Sequence, residues 1–299
     1  MVSPGSKRAL ITGLGGFTGA HLSEHLRLQG WEVFGLDRIE NFNGNSVSAI
    51  DINDNKAVTQ RLSEVRPTHI VHLAAHSHVV GDPLDFFHVN VLGTESLMEA
   101  IASSGIKPAK VLIASSANVY GNTDCSPITE DEPLRPMNHY ALSKAAMELL
   151  LQKWFHRLPI VVSRPFNYTG VGQSQAFLIP KIVAAFRRRD EMILLGNTRV
   201  ARDFSDVQFV CDAYSRLLQS SAHSTVVNIC SGSSTSIDKI LESLAEITGH
   251  RPRVEVDPAL VRKDEVMNLR GDATRLQSLV GQIAPVPVRE ILERMVVAT

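Results

Sequence analysis

The stretch that most constrains the fold is Gly13-Leu14-Gly15-Gly16-Phe17-Thr18-Gly19. It follows a short apolar run, Arg8-Ala9-Leu10-Ile11-Thr12, and opens a segment with leucines at 22, 26 and 28. The order is strand, glycine turn, helix. Glycines at 13, 16 and 19 let the backbone approach a pyrophosphate, and the helix N-terminus faces the phosphates. A glycine turn can also do no more than link a strand to a helix; here the context matches on both sides. The stretch therefore predicts a dinucleotide-binding opening, with Gly13, Gly16, Phe17, Thr18 and Gly19 at the cofactor.

Residues 31–36 read as a second strand, ending at Asp37. An acid roughly 20 residues past the glycines usually bonds the adenosine ribose hydroxyls. Asp37 repels a 2′-phosphate and favours NAD(H); Arg38 beside it attracts one, which leaves NADP(H) open. The plainer alternative for Asp37 is a cap or turn residue. Asp51-Ile52 ends a short strand and either meets the adenine or forms an ordinary turn. Residues 68–75 are a strand whose end, Leu73-Ala74-Ala75, is mostly small and lets a cofactor pass closely. A helix carrying Asn90, Gly93 and Thr94 follows, with Asn90 a further cofactor candidate. The next strand, 110–114, ends at Ser115-Ser116, at the carboxyl end where open α/β sheets bind ligands.

Tyr140 and Lys144 stand at i and i+4, on one face of a helix expected over 140–155. An ammonium beside a phenol favours the phenolate, so Tyr140 is expected to titrate below its ordinary value of about 10. Such a tyrosine exchanges a proton with a substrate oxygen near neutral pH. The bland alternative is a core ring with a solvated ammonium. A sixth strand at 160–164 completes an alternation of strand and helix, which means a parallel, doubly wound sheet. The rhythm then breaks. Helices at 177–188 and 206–218, a strand at 226–230, a helix from 237, a short strand at 253–256 and a helix from 288 follow. The two lobes are expected to be intertwined around a shared cleft. Arg187-Arg188-Arg189 reads as a solvated helix end.

Composition excludes several classes. The chain has 299 residues, 44% hydrophobic and 20% charged, as ordinary globular proteins do. A net charge of −1 supplies no basic field for nucleic acid. No apolar run approaches the ~20 residues of a membrane span, and the first residues lack the apolar core of a signal peptide. A cytoplasmic location is expected. Cys125, Cys211 and Cys230 form no CxxC pair and are expected to be reduced, buried thiols. Histidines 69, 72, 76 and 78 suggest a metal cluster. Strand alternation sets His69 opposite His72 and no carboxylate completes a set, so no metal is expected.

Gly13-x-x-Gly16-x-x-Gly19, Ser116-x-x-x-Tyr120-Gly121 and Tyr140-x-x-x-Lys144 together resemble the extended short-chain dehydrogenase/reductase family over nearly the whole chain. The resemblance implies an α/β fold: a Rossmann-type doubly wound parallel sheet with a smaller C-terminal substrate lobe. It assigns residues 1–169 and 206–236 to the dinucleotide-binding domain, and 170–205 and 237–299 to a nucleotide-sugar lobe. Ser116, Tyr140 and Lys144 become the catalytic set; Ser116 and Tyr140 hold the reacting oxygen, while Lys144 holds the nicotinamide ribose and tunes the tyrosine. A homodimer through the helices near Leu97 and 140–155 is also implied.

Arg164-Pro-Phe-Asn-Tyr-Thr-Gly170, Phe177-Leu-Ile-Pro-Lys181, Arg202-Asp-Phe-Ser-Asp206 and Arg262-Lys-Asp-Glu-Val266 are similar to the GDP-mannose 4,6-dehydratase and GDP-4-keto-6-deoxy-mannose reductase branch. By that likeness Asn167, Arg202 and Arg262 meet a diphosphate, and Phe177 to Lys181 packs on the base. Guanidinium forks suit phosphate oxygens; without the likeness, Arg202 paired with Asp206 at a helix start is the simpler reading. One departure matters. The dehydratases carry a glutamate two residues before the tyrosine of the Tyr-Gly pair, where this chain has Asn118. An amide is no general acid or base near neutral pH. The expectation is a 4-keto reductase of a nucleotide-diphosphate sugar, and the whole-chain likeness to GDP-6-deoxy-D-mannose reductases points the same way. The alternatives are a 4-epimerase that regenerates its cofactor each turnover, and a non-catalytic nucleotide sensor, which has no need of the intact triad.

Overall fold

The computed structural model describes residues 7–38, 47–77, 82–261 and 267–298. In chain order the first half runs β1 (Arg8–Thr12), α1 (Phe17–Leu28), β2 (Glu32–Asp37), β3 (Val47–Ala49), α2 (Asn55–Val65), β4 (His69–His72), α3 (Pro83–Phe87), α4 (Gly93–Ser103), β5 (Lys110–Ala114) and α5 (His139–Leu151). The second half runs β6 (Ile160–Pro165), β7 (Asn167–Thr169), α6 (Leu178–Arg188), β8 (Met192–Leu195), β9 (Ala201–Arg202), β10 (Phe204–Asp206), α7 (Val207–Gln219), β11 (Thr225–Ile229), β12 (Thr235–Ser236), α8 (Ile237–Thr248), β13 (Arg253–Val256), β14 (Asn268–Leu269), α9 (Thr274–Val280) and α10 (Val288–Val297).

Seven strands form one parallel sheet in the order β11-β6-β5-β4-β1-β2-β3. The order reverses between β1 and β4, and open α/β sheets bind ligands at that crevice. Alternation along each strand feeds two cores. Ala9, Ile11, Val71 and Leu112 pack under α1 and α7, while Leu10, Ile70, Val111 and Ile113 pack under α2, α4 and α5. Each such aliphatic side chain contributes about 1.5–3 kcal/mol by leaving water. This is the Rossmann-like α/β fold the strand–helix rhythm predicts. A third core joins α6, α8 and α10 to Ile193, Leu195, Val200 and Phe204. Leu276 of α9 returns to the α1/α7 core.

Some expected elements differ. β4 stops at His72 and not at Ala75, because the neighbouring β1 gives way to the Gly13 turn and Leu73–Ala75 pass along the cleft. The chain between α3 and α4 is a π-helical turn, residues 88–92, within one helical run. Asp51 lies beyond β3, where its Oδ1 accepts the Asn53 amide at 2.8 Å as a turn residue does. Asp206 caps α7 by accepting the Gln208 amide at 2.8 Å, and its ion-pair partner is Arg294 at 3.0 Å. The three cysteines are free; Cys211 and Cys230 are buried, but Cys125 is exposed, against the expectation for all three. Its loop, after the 3₁₀ turn at residues 117–120, packs no apolar layer over it. Among the described residues no helix is long and apolar enough to cross a membrane.

Candidate active site

A cleft of about 1460 Å³ opens at the carboxyl ends of β1, β4 and β5. That exceeds the roughly 300–1,000 Å³ of an ordinary small-molecule pocket and leaves room for two ligands. Its floor begins with the glycine turn. Gly13 holds φ +72°, and a Cβ there would stand 2.7 Å from the Ala74 nitrogen. At Gly19 a Cβ would stand 2.3 Å from the Gly13 carbonyl oxygen, so α1 packs against the turn only without one. Gly16 caps α1 with no side-chain hydrogen bond. The first-turn amides therefore have no intrahelical acceptor, and the helix dipole adds positive potential there. An anionic pyrophosphate fits that end, so the residues present suit a dinucleotide.

Asp37 and Arg38 line the same cleft. Asp37 is pinned by backbone: its Oδ2 accepts the Gly15 amide at 2.8 Å and its Oδ1 the Arg38 amide at 2.7 Å. Asp51, Ile52, Leu73, Ala74 and Ala75 complete this wall. Thr12, at the end of β1, was missed by sequence reasoning. Its hydroxyl bonds His72 Nδ1 at 2.7 Å and accepts the Ala74 amide at 3.2 Å, fixing the strand ends to each other. A polar residue closing an apolar strand was the available signal, the same one that singled out Ser115 and Ser116.

Asn90 is fully buried and does not line the cleft. Its amide braces the wall instead, accepting the His76 N–H at 2.8 Å and donating to the Ser143 hydroxyl at 2.9 Å. Of the histidines, His69 and His72 lie off the cleft, whereas His76 lines it, edge-on to Phe86 at 4.8 Å between ring centroids. His69 meets Trp31 edge-on, and His72 lies between Thr12 and Thr94, drawn down to about 3 by burial. His78 lies outside the described residues. Among the described residues no group of three His, Cys, Asp or Glu could hold a metal.

Ser116, Tyr140 and Lys144 converge at the centre. Ser116 stands two residues beyond β5 and caps a 3₁₀ turn by accepting the Asn118 amide at 3.2 Å. Asn138 caps α5 by accepting the Ala141 amide at 2.8 Å, which sets Tyr140 in the first turn, above Ser116. Lys144 is 3% exposed and donates to the Ala114 carbonyl at 2.8 Å. The expected lowering of Tyr140 is not what these groups produce. Burial pushes its phenol up to about 12, and the opposing influence is a hydrogen bond with the Ser116 hydroxyl. The lysine carries the downward shift: burial draws it down to about 8, partly opposed by the Glu148 carboxylate. The expectation counted the ammonium and omitted desolvation of the phenolate, which in an enclosed site is larger.

Asn118, Asn167 and Phe177 also line the cleft. Tyr168 lines it too, a residue that the sequence motif contains but that was not singled out. Its hydroxyl bonds Thr18 at 2.8 Å and its ring stacks on Phe17, 6.3 Å between centroids. Lys181 does not line the cleft; it donates to the Leu194 carbonyl at 3.1 Å on the outer face of α6. Arg202 lies on β9, off the cleft wall, and donates to the Ala201 carbonyl at 2.9 Å. Arg262 lies outside the described residues.

This arrangement can bind a dinucleotide on one side and place a proton donor against a second ligand on the other. The family model described as GDP-mannose 4,6 dehydratase matches residues 10–295. GDP-6-deoxy-D-talose 4-dehydrogenase of Aggregatibacter actinomycetemcomitans is 35% identical, covering 96% of this chain and 96% of its own. GDP-6-deoxy-D-mannose reductase of Pseudomonas aeruginosa is 31% identical, covering 96% and 95%. Among solved structures, an epimerase candidate of Burkholderia cenocepacia J2315 superposes with TM-score 0.92 at 40% identity, covering 97% of each chain. The structure of RMD from Pseudomonas aeruginosa, complexed with NADPH, superposes with TM-score 0.87 at 30% identity, covering 97% of this chain and 98% of its own.

Proposed function

The chain belongs to the GDP-mannose 4,6 dehydratase family of extended short-chain dehydrogenases/reductases, and on that footing we propose that it reduces the 4-keto group of a GDP-4-keto-6-deoxyhexose. Membership makes it a nucleotide-sugar-modifying enzyme that works with a nicotinamide cofactor. The observation that carries the finer reading is the convergence of Ser116, Tyr140 and Lys144 with an amide, Asn118, where a dehydratase needs a carboxylate. The two relatives are named for 6-deoxytalose and 6-deoxymannose, which differ at C4 alone. A single 4-keto sugar relates both, so that ketone is the substrate chemistry the family resemblance supports.

The chain's residues then divide the work. Gly13 to Gly19 cradle the pyrophosphate, and Asp37 faces the adenosine ribose. The reduced nicotinamide cofactor, once bound, supplies a hydride. As negative charge develops on the C4 oxygen, the Ser116 hydroxyl donates a hydrogen bond to it. Tyr140 transfers its phenolic proton to the same oxygen. A phenol held near 12 is fully protonated at neutral pH, so the acid is loaded. Lys144, cationic below about 8, stabilises the tyrosinate left behind. Asn167 and Phe177 stand where the nucleotide sugar enters, while Lys181, Arg202 and Arg262 are assigned to it by resemblance alone. Exposed Leu142 and Leu149 on α5 suit a homodimer through that helix.

Stoichiometry tests the reading. GDP-4-keto-6-deoxy-mannose should consume one NADH or NADPH per sugar reduced, and GDP-mannose should yield no 4-keto product. The Burkholderia likeness favours a second reading, a 4-epimerase. Interconversion of C4 epimers with no net cofactor oxidation would establish it and overturn the reductase.

A further inference from the structure

Below the site lies a buried ion pair that the chemistry above does not use. Glu148 sits one turn after Lys144 on α5, and Arg164 lies on β6; both are 5% exposed. Arg164 grips the carboxylate as a fork, Nε to Oε1 at 3.0 Å and Nη2 to Oε2 at 2.6 Å. Its Nη1 donates to the Tyr120 hydroxyl at 2.9 Å and to the Glu130 carbonyl at 3.1 Å. Tyr120 donates onward to Asn228 Oδ1 at 2.6 Å. The Ser115 hydroxyl completes the set by donating to Glu148 Oε1. Desolvation offsets much of the attraction in a buried ion pair, so stability alone is a weak account of this one.

We propose that Glu148 is a positioning residue for the active site, tying Lys144 and the strand end that bears Ser116 to one buried carboxylate and holding the lysine in its charged form. The proposal rests on the role given above to Lys144. The geometry is a closed circuit. Lys144 Nζ rests on the Ala114 carbonyl, and the next residue, Ser115, is bonded to Glu148. The following residue is Ser116. One carboxylate, braced from β6 by Arg164, therefore fixes α5 against the strand end from which the ketone-facing hydroxyl projects.

The charge argument runs in the same direction. Around Lys144 stand His72 from β4, kept neutral by burial; Tyr140 on its own helix, kept protonated by burial; and the uncharged Ser115 and Ser116 at the end of β5. Tyr214 of α7, raised by burial, is neutral as well. Arg164 of β6 is bonded to Glu148 and Tyr120, and its positive charge acts against the carboxylate's influence on the lysine. The Glu148 carboxylate is thus the charge that opposes loss of the ammonium proton.

Glu148→Gln tests this, read by the Cε resonance of Lys144 in ¹³C-lysine-labelled protein, assigned with Lys144→Met. Removing an opposite charge one helical turn away should lower the lysine's titration by about one pH unit or more. The alkaline limb of kcat should move down equally, with KM unchanged. A folded variant whose lysine resonance and alkaline limb both stay put overturns the proposal. If the unpaired Arg164 unfolds that variant, Glu148→Gln with Arg164→Gln removes both charges, and a smaller shift of the same sign is expected. Full turnover in Lys144→Met would instead sink the catalytic reading, and the resonance shift would still report on Glu148.

Discussion

The floor of the cleft and its rim are built differently. Thr12, Ser115, Ser116 and Lys144 on the floor are 1%, 3%, 8% and 3% exposed. Sheet register places three of them: Thr12 pairs with His72, His72 pairs with Ile113, and Ser115 and Ser116 follow the end of β5. The rim comes from loop and short-strand residues. Asn167 is exposed, Phe177 is 38% exposed, and the loop is tied down by local bonds such as Tyr168 to Thr18 and His21 Nε2 to the Val171 carbonyl at 2.9 Å. A floor set by register cannot shift by one residue without exchanging the side chains that fill the two cores. A rim held by loops can change its side chains and leave the floor intact. On the function proposed above, reaction type then belongs to the floor and choice of nucleotide sugar to the rim.

The sharpest way to break that division is at Tyr140. Tyr140→Phe keeps the ring against Phe86, 6.3 Å between centroids, and removes the proton donor. Loss of a general acid should lower kcat by roughly 10²- to 10⁴-fold with KM little changed. On the proposed mechanism the wild type needs Tyr140 protonated and Lys144 charged. Tyr140 holds its proton up to about 12 and Lys144 only to about 8, so activity should fall as pH rises through the lower value. Near-wild-type turnover in the variant would show that the floor does not set the chemistry.

Apart from Thr12, the floor was legible in the sequence because its signals are local patterns. Gly13, Gly16 and Gly19 sit between a strand and a helix, Tyr140 and Lys144 share a helical face, and Ser116 ends an apolar run. Each pattern follows from backbone geometry alone. Energetics inside the floor were less legible. The spacing of Tyr140 and Lys144 places an ammonium near a phenol but says nothing of how completely both are desolvated, and desolvation decides the sign. Glu148 was invisible for a related reason: on its helix it reads as one more exposed acid, and only the sheet brings Arg164 to it. On the rim, Lys181 and Arg202 were named from motif likeness, and both lie off the cleft wall. Asn90 was a cofactor candidate on the helix that follows residues 68–75, yet its bonds run to His76 and Ser143.

Asp37 lies at the boundary between the two regions and gives an intermediate effect. Its carboxylate is held by the Gly15 and Arg38 amides, in the position that the proposed function gives to the adenosine ribose. NADH is expected to bind at least as tightly as NADPH. Asp37→Ala removes the repulsion towards a 2′-phosphate while Arg38 remains. The Kd ratio should move towards NADPH by about tenfold, or about 1.4 kcal/mol, read by quenching of dinucleotide fluorescence. Both affinities should also weaken, because the Gly15 amide loses its partner. A strong wild-type preference for NADPH would show that Arg38 dominates.

The smallest effect is expected at Lys181, and it sharpens the comparison most finely. Its ammonium is exposed and bonded to the Leu194 carbonyl, which joins α6 to β8 on the outer face. An exposed hydrogen bond of this kind contributes at most about 1 kcal/mol, since water replaces either partner. Lys181→Ala should therefore change KM for the nucleotide sugar by less than about threefold and leave kcat alone. Phe177→Ala, four residues earlier but on the cleft wall, should raise KM more, because it removes a ring that lines the entrance. Steady-state kinetics on the two variants ranks them directly. If Lys181→Ala raises KM tenfold and Phe177→Ala does not, the lysine leaves Leu194 for the substrate. The rim would then be rebuilt on binding, and its residues could not be ranked by where they stand in the free protein.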